Sequence, residues 1–109
     1  MFLYKAKVLE IIDASTFELE IDLGFKFYTK QRVRLWGVMP INTSAYTAKT
    51  MLTEMVQDGV IVQTKFTKRG KIGRILGTLW TINSSGRQDI NINDLLLEKN
   101  YVKLFNELD

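Results

Sequence analysis

The stretch TFELEIDLGFKFYTKQRVRLW, residues 16–36, decides the fold because apolar and polar side chains alternate on both sides of one glycine. Alternation with a period of two predicts two β-strands, at 16–22 and 26–36, and Gly24 marks the turn between them. One face of this predicted hairpin is apolar and carries Phe17, Leu19, Ile21, Phe27, Val33 and Leu35. The acidic residues of the first strand and the basic residues of the second share the other face. We therefore expect the hairpin to bury one side against a core.

The turn position predicts which residues of the hairpin face each other. The predicted pairs are Asp22 with Lys26, Glu18 with Lys30, and Thr16 with Arg32. The first two are ion pairs, each expected to stabilise the hairpin by about 0.2–1 kcal/mol. In this register Arg32 and Arg34 have no acid opposite them. The unpaired end of the basic stripe then points at the turn that follows, Gly37 to Asn42.

The sequence outside the hairpin continues a mainly β pattern. The other predicted elements are strands at 2–12, 59–66 and 74–82, a helix from Thr43 or Ser44 to Gln57, a short helix at 94–100 with Asn91 or Asn93 as its cap, and an extended piece at 102–105. Five strands with one helix after the third is the order of an OB-fold barrel. The predicted fold class is therefore mainly β with helices (α+β), in a single domain over residues 1–109.

The composition excludes several kinds of site. The chain has 109 residues, 46% of them hydrophobic, and it contains neither cysteine nor histidine. These absences exclude disulfides, thiolate or histidine metal sites, and nucleophiles activated by histidine. No long apolar run and no signal-like N-terminus is present. We therefore expect no membrane association and a cytoplasmic location, unless a signal was removed from a mature form.

Charge is strongly segregated along the chain. Residues 23–53 and 59–88 contain no acid, although they hold eleven of the fifteen basic residues. The rest of the chain holds four basic and all twelve acidic residues. Such segregation favours a positive surface that binds a polyanion, although basic loops can also serve solubility alone.

Four blocks of the sequence resemble the staphylococcal nuclease (thermonuclease) family, in the family's order and nearly at its spacing. The blocks are IIDASTFELEIDLGF, KQRVRLWGV, KRGKIGRILGTLW and NINDLLLEKNYVK. The resemblance covers nearly the whole chain and implies a five-stranded OB barrel with helices packed on it. It also implies that the final C-terminal helix of the family is missing or reduced to a stub.

The resemblance implies a calcium-dependent nuclease whose catalytic positions have been replaced. Ser15 and Met39 stand where the family has two metal-binding aspartates, and Asp13 keeps only an accessory position. Asn42 stands at the position of the catalytic glutamate, or Ile41 does if a one-residue gap aligns the proline. Serine and methionine are poor calcium ligands, and asparagine cannot accept a proton. We therefore expect no intact catalytic site and no cofactor; calcium would be needed only for residual nuclease activity.

The phosphate-holding side of the family site is retained in the sequence. Arg34 and Arg74 match the two family arginines, whereas Ile72 replaces a tyrosine that stacks on a base. The complete set of candidate phosphate-binding residues is Arg32, Arg34, Lys68, Arg69, Lys71 and Arg74. Candidate stacking surfaces are Tyr28 and Trp36, although for Trp36 packing of its edge against the helix is favoured over stacking on a base.

Three functions are compatible with this pattern. The first is a catalytically silent domain that binds single-stranded DNA or RNA through the basic face. The second is a protein-interaction module that uses the apolar turn Met39, Pro40 and Ile41, such as a phage-encoded adaptor or inhibitor of a host nucleic-acid enzyme. The third is residual calcium-dependent nuclease activity.

Overall fold

A computed structural model describes residues 2–41, 45–65 and 75–106 of the chain. The strands are β1 (Leu3–Asp13), β2 (Thr16–Gly24), β3 (Phe27–Leu35), β4 (Val38–Pro40), β5 (Val60–Lys65), β6 (Ile75–Ile82), β7 (Gln88–Asn91) and β8 (Val102–Leu104). The helices are α1 (Ala45–Met55) and α2 (Ile92–Glu98). The predicted caps of the first helix, Thr43 and Ser44, lie outside the described residues.

Five strands form a closed barrel. The sheet order is β3-β2-β1-β5-β6, and a parallel pairing of β3 with β6 closes it. Strand β7 extends the sheet beyond β6, and α1 follows the third barrel strand after the short β4. The predicted fold class, a mainly β OB barrel with helices, is confirmed.

The alternating faces of the strands build the core. Inward-facing residues such as Phe17, Leu19 and Val33 are fully buried. Helix α1 contributes Ala48 and Leu52, which are buried one helical turn apart. Helix α2 adds Ile92 and Leu96 in the same way. The apolar period of the sequence therefore specifies both the strands and the helices that cover the barrel.

The predicted hairpin register is wrong by two residues. Glu18 lies opposite Arg32 rather than Lys30, and Thr16 lies opposite Arg34. The cause is the turn: Phe25 and Lys26 both adopt positive φ, at 54° and 66°, so the chain reverses after Gly24 rather than around it. A shift of two residues leaves every side chain on its predicted face, which is why the core pattern is unaffected.

Two of the three short strands, β4 and β7, were not predicted from the sequence. Strand β4 pairs with β8 in a separate two-stranded sheet, and β7 pairs with β6. Each has only three or four residues. Such lengths are too short for an alternating pattern to stand out. The predicted extended piece at 102–105 corresponds to β8, and α2 begins two residues earlier than predicted.

Candidate nucleic-acid interface

The turn that carries position 15 is a buried structural turn. The Asp13 carboxylate accepts hydrogen bonds from the backbone N–H of Ser15 at 2.8 Å and from its hydroxyl at 3.2 Å. The Ser15 carbonyl in turn accepts from the N–H of Leu35 at 2.7 Å. Ser15 is buried, and the Asp13 carboxylate is used locally to hold the turn between β1 and β2.

The segment that follows β3 is covered by the C-terminal strand. Met39 lies opposite Lys103, and Pro40 lies opposite Val102 in the β4–β8 pair. The Ile41 N–H donates to the Tyr101 carbonyl at 3.1 Å. The apolar turn predicted as an open protein-binding patch is therefore hydrogen-bonded to β8 along its backbone. Asn42 lies outside the described residues.

Arg34 holds this part of the molecule together. Its Nη1 donates to the Val38 carbonyl at 2.7 Å and approaches the Leu35 carbonyl at 3.4 Å. The ring of Phe105, just after β8, lies over the guanidinium with 5.2 Å between Cζ and the ring centroid. Thr16 lies opposite Arg34, so no acid faces it across the hairpin, as predicted, and the guanidinium is bonded to backbone carbonyl groups instead. It joins β3 to β4 and to the residue after β8, and it remains only half-buried.

A second cation lies over a second aromatic ring nearby. The Lys65 ammonium is 5.6 Å from the centroid of the Trp36 ring, a distance at which a cation is attracted to the face of an indole. Trp36 is 41% exposed and Phe105 is 42% exposed. Trp36 is fixed through its backbone, because its N–H donates to the Gly77 carbonyl at 2.8 Å. Both rings are thus held in place with part of their surface in water.

The barrel closure brings these groups to one place. Lys65 lies opposite Leu76 in the β5–β6 ladder, and Leu76 lies opposite Arg34 in the β6–β3 ladder. We call the set Arg34, Trp36, Lys65 and Phe105 the aromatic–cation surface. Strand β3 comes from one acid-free segment of the sequence, and β5 and β6 come from the other. The two basic, acid-free segments of the sequence are therefore adjacent at the β3–β6 seam.

Four candidate phosphate-binding residues lie outside the described part of the chain. They are Lys68, Arg69, Lys71 and Arg74, and Ile72 lies there as well. The described residues that flank this segment are Lys65, opposite Leu76 in the β5–β6 ladder, and Ile75, opposite Val33 at the β3–β6 seam.

Two other candidates do not belong to this surface. Tyr28 lies six residues before Arg34 on β3, which places it about 20 Å away at the rise of a strand. Arg32 lies two residues from Arg34 but is paired with Glu18 through an Nε–Oε2 contact of 3.4 Å, so the expectation that no acid faces it is wrong. Of the predicted set, the described members that belong to the aromatic–cation surface are Trp36 and Arg34.

Two residues of the surface were missed by sequence reasoning. Lys65 had a weak signal, since it belongs to an acid-free segment next to the predicted basic loop. Phe105 had none, because its position over Arg34 depends on the pairing of β8 with β4.

The described residues do not assemble a metal site. Across 2–41, 45–65 and 75–106, no group of three or more histidine, cysteine, aspartate or glutamate side chains could hold a metal ion. In the same ranges, no helix is long and apolar enough to cross a membrane.

No protein-family model matches the chain, and no curated protein matches it either.

Proposed function

We propose that this protein binds single-stranded nucleic acid through the aromatic–cation surface at the β3–β6 seam. The observation that carries the proposal is the pairing of two half-exposed rings with two cations on one side of an OB barrel. Single-stranded nucleic acid is bound by this combination, because bases stack on aromatic faces while cations neutralise phosphates.

The charge distribution supports the same ligand. The described strands that meet at the seam come from sequence segments without a single acid, so no carboxylate on β3, β5 or β6 repels a phosphate there. In the sequence, the segment 66–74 between β5 and β6 holds four further basic residues. A single-stranded ligand needs such charge along its path, since phosphate contacts supply most of the non-specific affinity.

We further propose that the chain is a divergent relative of the staphylococcal nuclease family that has lost catalysis. The four sequence blocks and the closed five-stranded barrel support this relationship. Loss of catalysis is supported by the groups at the former ligand positions. Ser15 is buried in a turn, and Met39 lies in a strand paired with β8. Neither side chain is a carboxylate, so neither supplies a negatively charged oxygen ligand for calcium.

The experiment is fluorescence anisotropy of labelled single-stranded DNA and RNA about 15 nucleotides long, titrated at about 50 mM salt. Trp36→Ala should weaken binding by about 1–3 kcal/mol, as expected when one stacked base loses its platform. Lys65→Gln should reduce the slope of log K against log salt by about 0.7, because one phosphate contact is lost.

Tyr28→Ala is the matched control. Tyr28 is more exposed than Trp36 and lies on the same strand, but it is far from the seam. Removing it should leave the affinity unchanged. The proposal fails if the parent protein does not bind at low salt, or if Tyr28→Ala costs as much affinity as Trp36→Ala.

The same mixture tests the loss of catalysis. Adding calcium should leave the oligonucleotide intact. Calcium-dependent cleavage that disappears in an Arg34→Ala, Arg74→Ala double variant would contradict the inactive assignment and would establish residual nuclease activity instead.

A further inference from the structure

Part of β3 has an open edge. The strand pairs with β6 only over Val33–Leu35, whereas it pairs with β2 over its whole length. From Phe27 to Arg32, no strand in the described part of the chain lies on the side away from β2. The hairpin therefore extends past the closed barrel and presents six residues of strand edge.

The hydrogen-bonding direction of this edge follows from two bonds at the end of β3. The Leu35 N–H donates to Ser15, on the β2 side, and the Trp36 N–H donates to Gly77, on the β6 side. Backbone groups alternate between the two sides along a strand, so those of Thr29 and Gln31 face β2. The N–H groups of Tyr28, Lys30 and Arg32 and the C=O groups of Tyr28 and Lys30 then face outward, in the spacing that accepts another strand. The Arg32 carbonyl instead faces Ile75 at the start of β6.

The side chains next to the edge have a defined chemistry. On the outer face are Tyr28, Lys30 and Arg32, and the acids of the hairpin lie one strand further in, on β2. On the other face, Phe27 is 70% exposed although it continues the apolar row of Val33 and Leu35. A strand added here would meet the Lys30 ammonium on one face, next to the ion pair of Arg32 with Glu18, and an uncovered aromatic ring on the other.

A second copy of this chain fits the edge poorly. Antiparallel self-pairing centred on Lys30 places Lys30 opposite itself. Sliding by one hydrogen-bonding step places Lys30 opposite Arg32 in one direction, and in the other it places Lys30 opposite Tyr28 and Arg32 opposite Lys26. Like charges directly opposite each other destabilise a sheet. Basic residues on an edge are a known protection against self-association, and the same residues attract an acidic strand.

We propose that the β3 edge from Phe27 to Arg32 binds an extended segment of a partner protein by β-strand addition, and that this segment alternates acidic and apolar residues. The acidic residues would lie beside Lys30 and Arg32, and the apolar residues would cover Phe27. The proposal concerns a surface separate from the aromatic–cation surface and does not depend on nucleic-acid binding.

The test uses a peptide of alternating glutamate and valine, about seven residues long, added to the isotope-labelled full chain at up to about 1 mM. Amide hydrogen exchange of Tyr28, Lys30 and Arg32 should slow by about tenfold or more at saturation, because their N–H groups become bonded. The amides of Thr29 and Gln31 should change little, since they are already bonded to β2. A lysine–valine peptide of the same length should produce no protection.

Two substitutions of Lys30 distinguish the contribution of its backbone N–H to peptide binding from that of its side-chain charge. Lys30→Pro removes an outward N–H without removing a bond to β2, and proline is tolerated at such an edge position. It should weaken peptide binding by about fivefold beyond the effect of Lys30→Ala, which keeps the N–H. Trp36→Ala should leave peptide binding unchanged. If Lys30→Pro does not fold, the exchange pattern of the parent protein still decides the proposal.

Three results would overturn the proposal. One is the absence of protection at Tyr28, Lys30 and Arg32 with the acidic peptide. Another is protection that rises with protein concentration alone, which would identify a second copy as the occupant. The third is protection of these amides in the dilute protein without peptide, which would mean that the chain covers its own edge.

Discussion

Asn91 and Asn93, near the start of α2, have different structural roles, which only the structure distinguishes. Asn91 is the N-cap, because its side chain accepts from the Asp94 N–H at 3.0 Å. Asn93 is buried, and its side-chain oxygen accepts from the Leu79 N–H at 3.2 Å. Its amide nitrogen donates to the Trp36 carbonyl at 3.1 Å and to the Gly77 carbonyl at 3.3 Å. One side chain therefore fixes α2 against both strands of the barrel seam.

Asn93→Ala should lower the free energy of unfolding by about 1–3 kcal/mol, because it leaves the buried Leu79 N–H without its partner. Asn91→Ala should cost about 1 kcal/mol, as for the loss of a helix cap. Urea unfolding of both variants measures the difference. A smaller loss for Asn93→Ala than for Asn91→Ala would show that Asn93 does not hold the seam.

At the scale of elements, the short strand β8 contributes more than its length suggests. It pairs with β4, and Phe105 directly after it donates its N–H to the Gly37 carbonyl at 2.9 Å. The Phe105 ring also lies over Arg34. The element thus covers the turn that the sequence resemblance assigns to catalysis, and it supplies one ring of the aromatic–cation surface.

The two ends of β8 offer a matched pair of variants. Val102 is buried, whereas Leu104 on the same strand is largely exposed. Val102→Ala should destabilise the protein by about 1–3 kcal/mol through lost apolar burial and a small cavity. Leu104→Ala should stay within about 0.5 kcal/mol of the parent. Equal effects in urea unfolding would mean that β8 is not packed as described.

For the whole molecule, the decisive contact is the parallel β3–β6 pairing that closes the barrel. Gly77 lies there, opposite both Leu35 and Thr64. A Cβ at Gly77 would be 3.0 Å from the Gln63 carbonyl oxygen and 3.2 Å from a methyl group of Val62. Both atoms belong to β5, so the absence of a side chain at Gly77 allows β5 to pack tightly against β6; across the seam, a methyl group of Val33 would be 3.5 Å away.

Gly77→Val should destabilise the protein by about 1–3 kcal/mol, because the added side chain would clash with β5 and displace β6. It should also weaken oligonucleotide binding, since the aromatic–cation surface spans that seam. Thermal unfolding monitored by circular dichroism measures the first effect, and anisotropy measures the second. A melting temperature within about 2 °C of the parent would show that the seam accommodates a side chain.

The sequence by itself determined the barrel strands, the helices and the buried faces. The period-two rows of β1, β2 and β3 and the spacing of Ala48 and Leu52 specify burial locally, so they survive an error of two residues in the hairpin register. The sequence also determined that charge is segregated into two acid-free segments. These properties depend on residues that are close together along the chain, so the sequence pattern alone predicts them.

Only the tertiary structure decided which residues of the candidate site meet. The Lys65 ammonium lies over the Trp36 ring, and the Phe105 ring lies over the Arg34 guanidinium. Both contacts result from pairings between strands that are distant in the sequence. Arg34 also bonds to the Val38 carbonyl, and Arg32 pairs with Glu18 because the turn lies at Phe25 and Lys26. Such contacts depend on barrel closure and turn geometry, which no local period encodes. The positive segments were therefore predictable, whereas the surface that they form together was not.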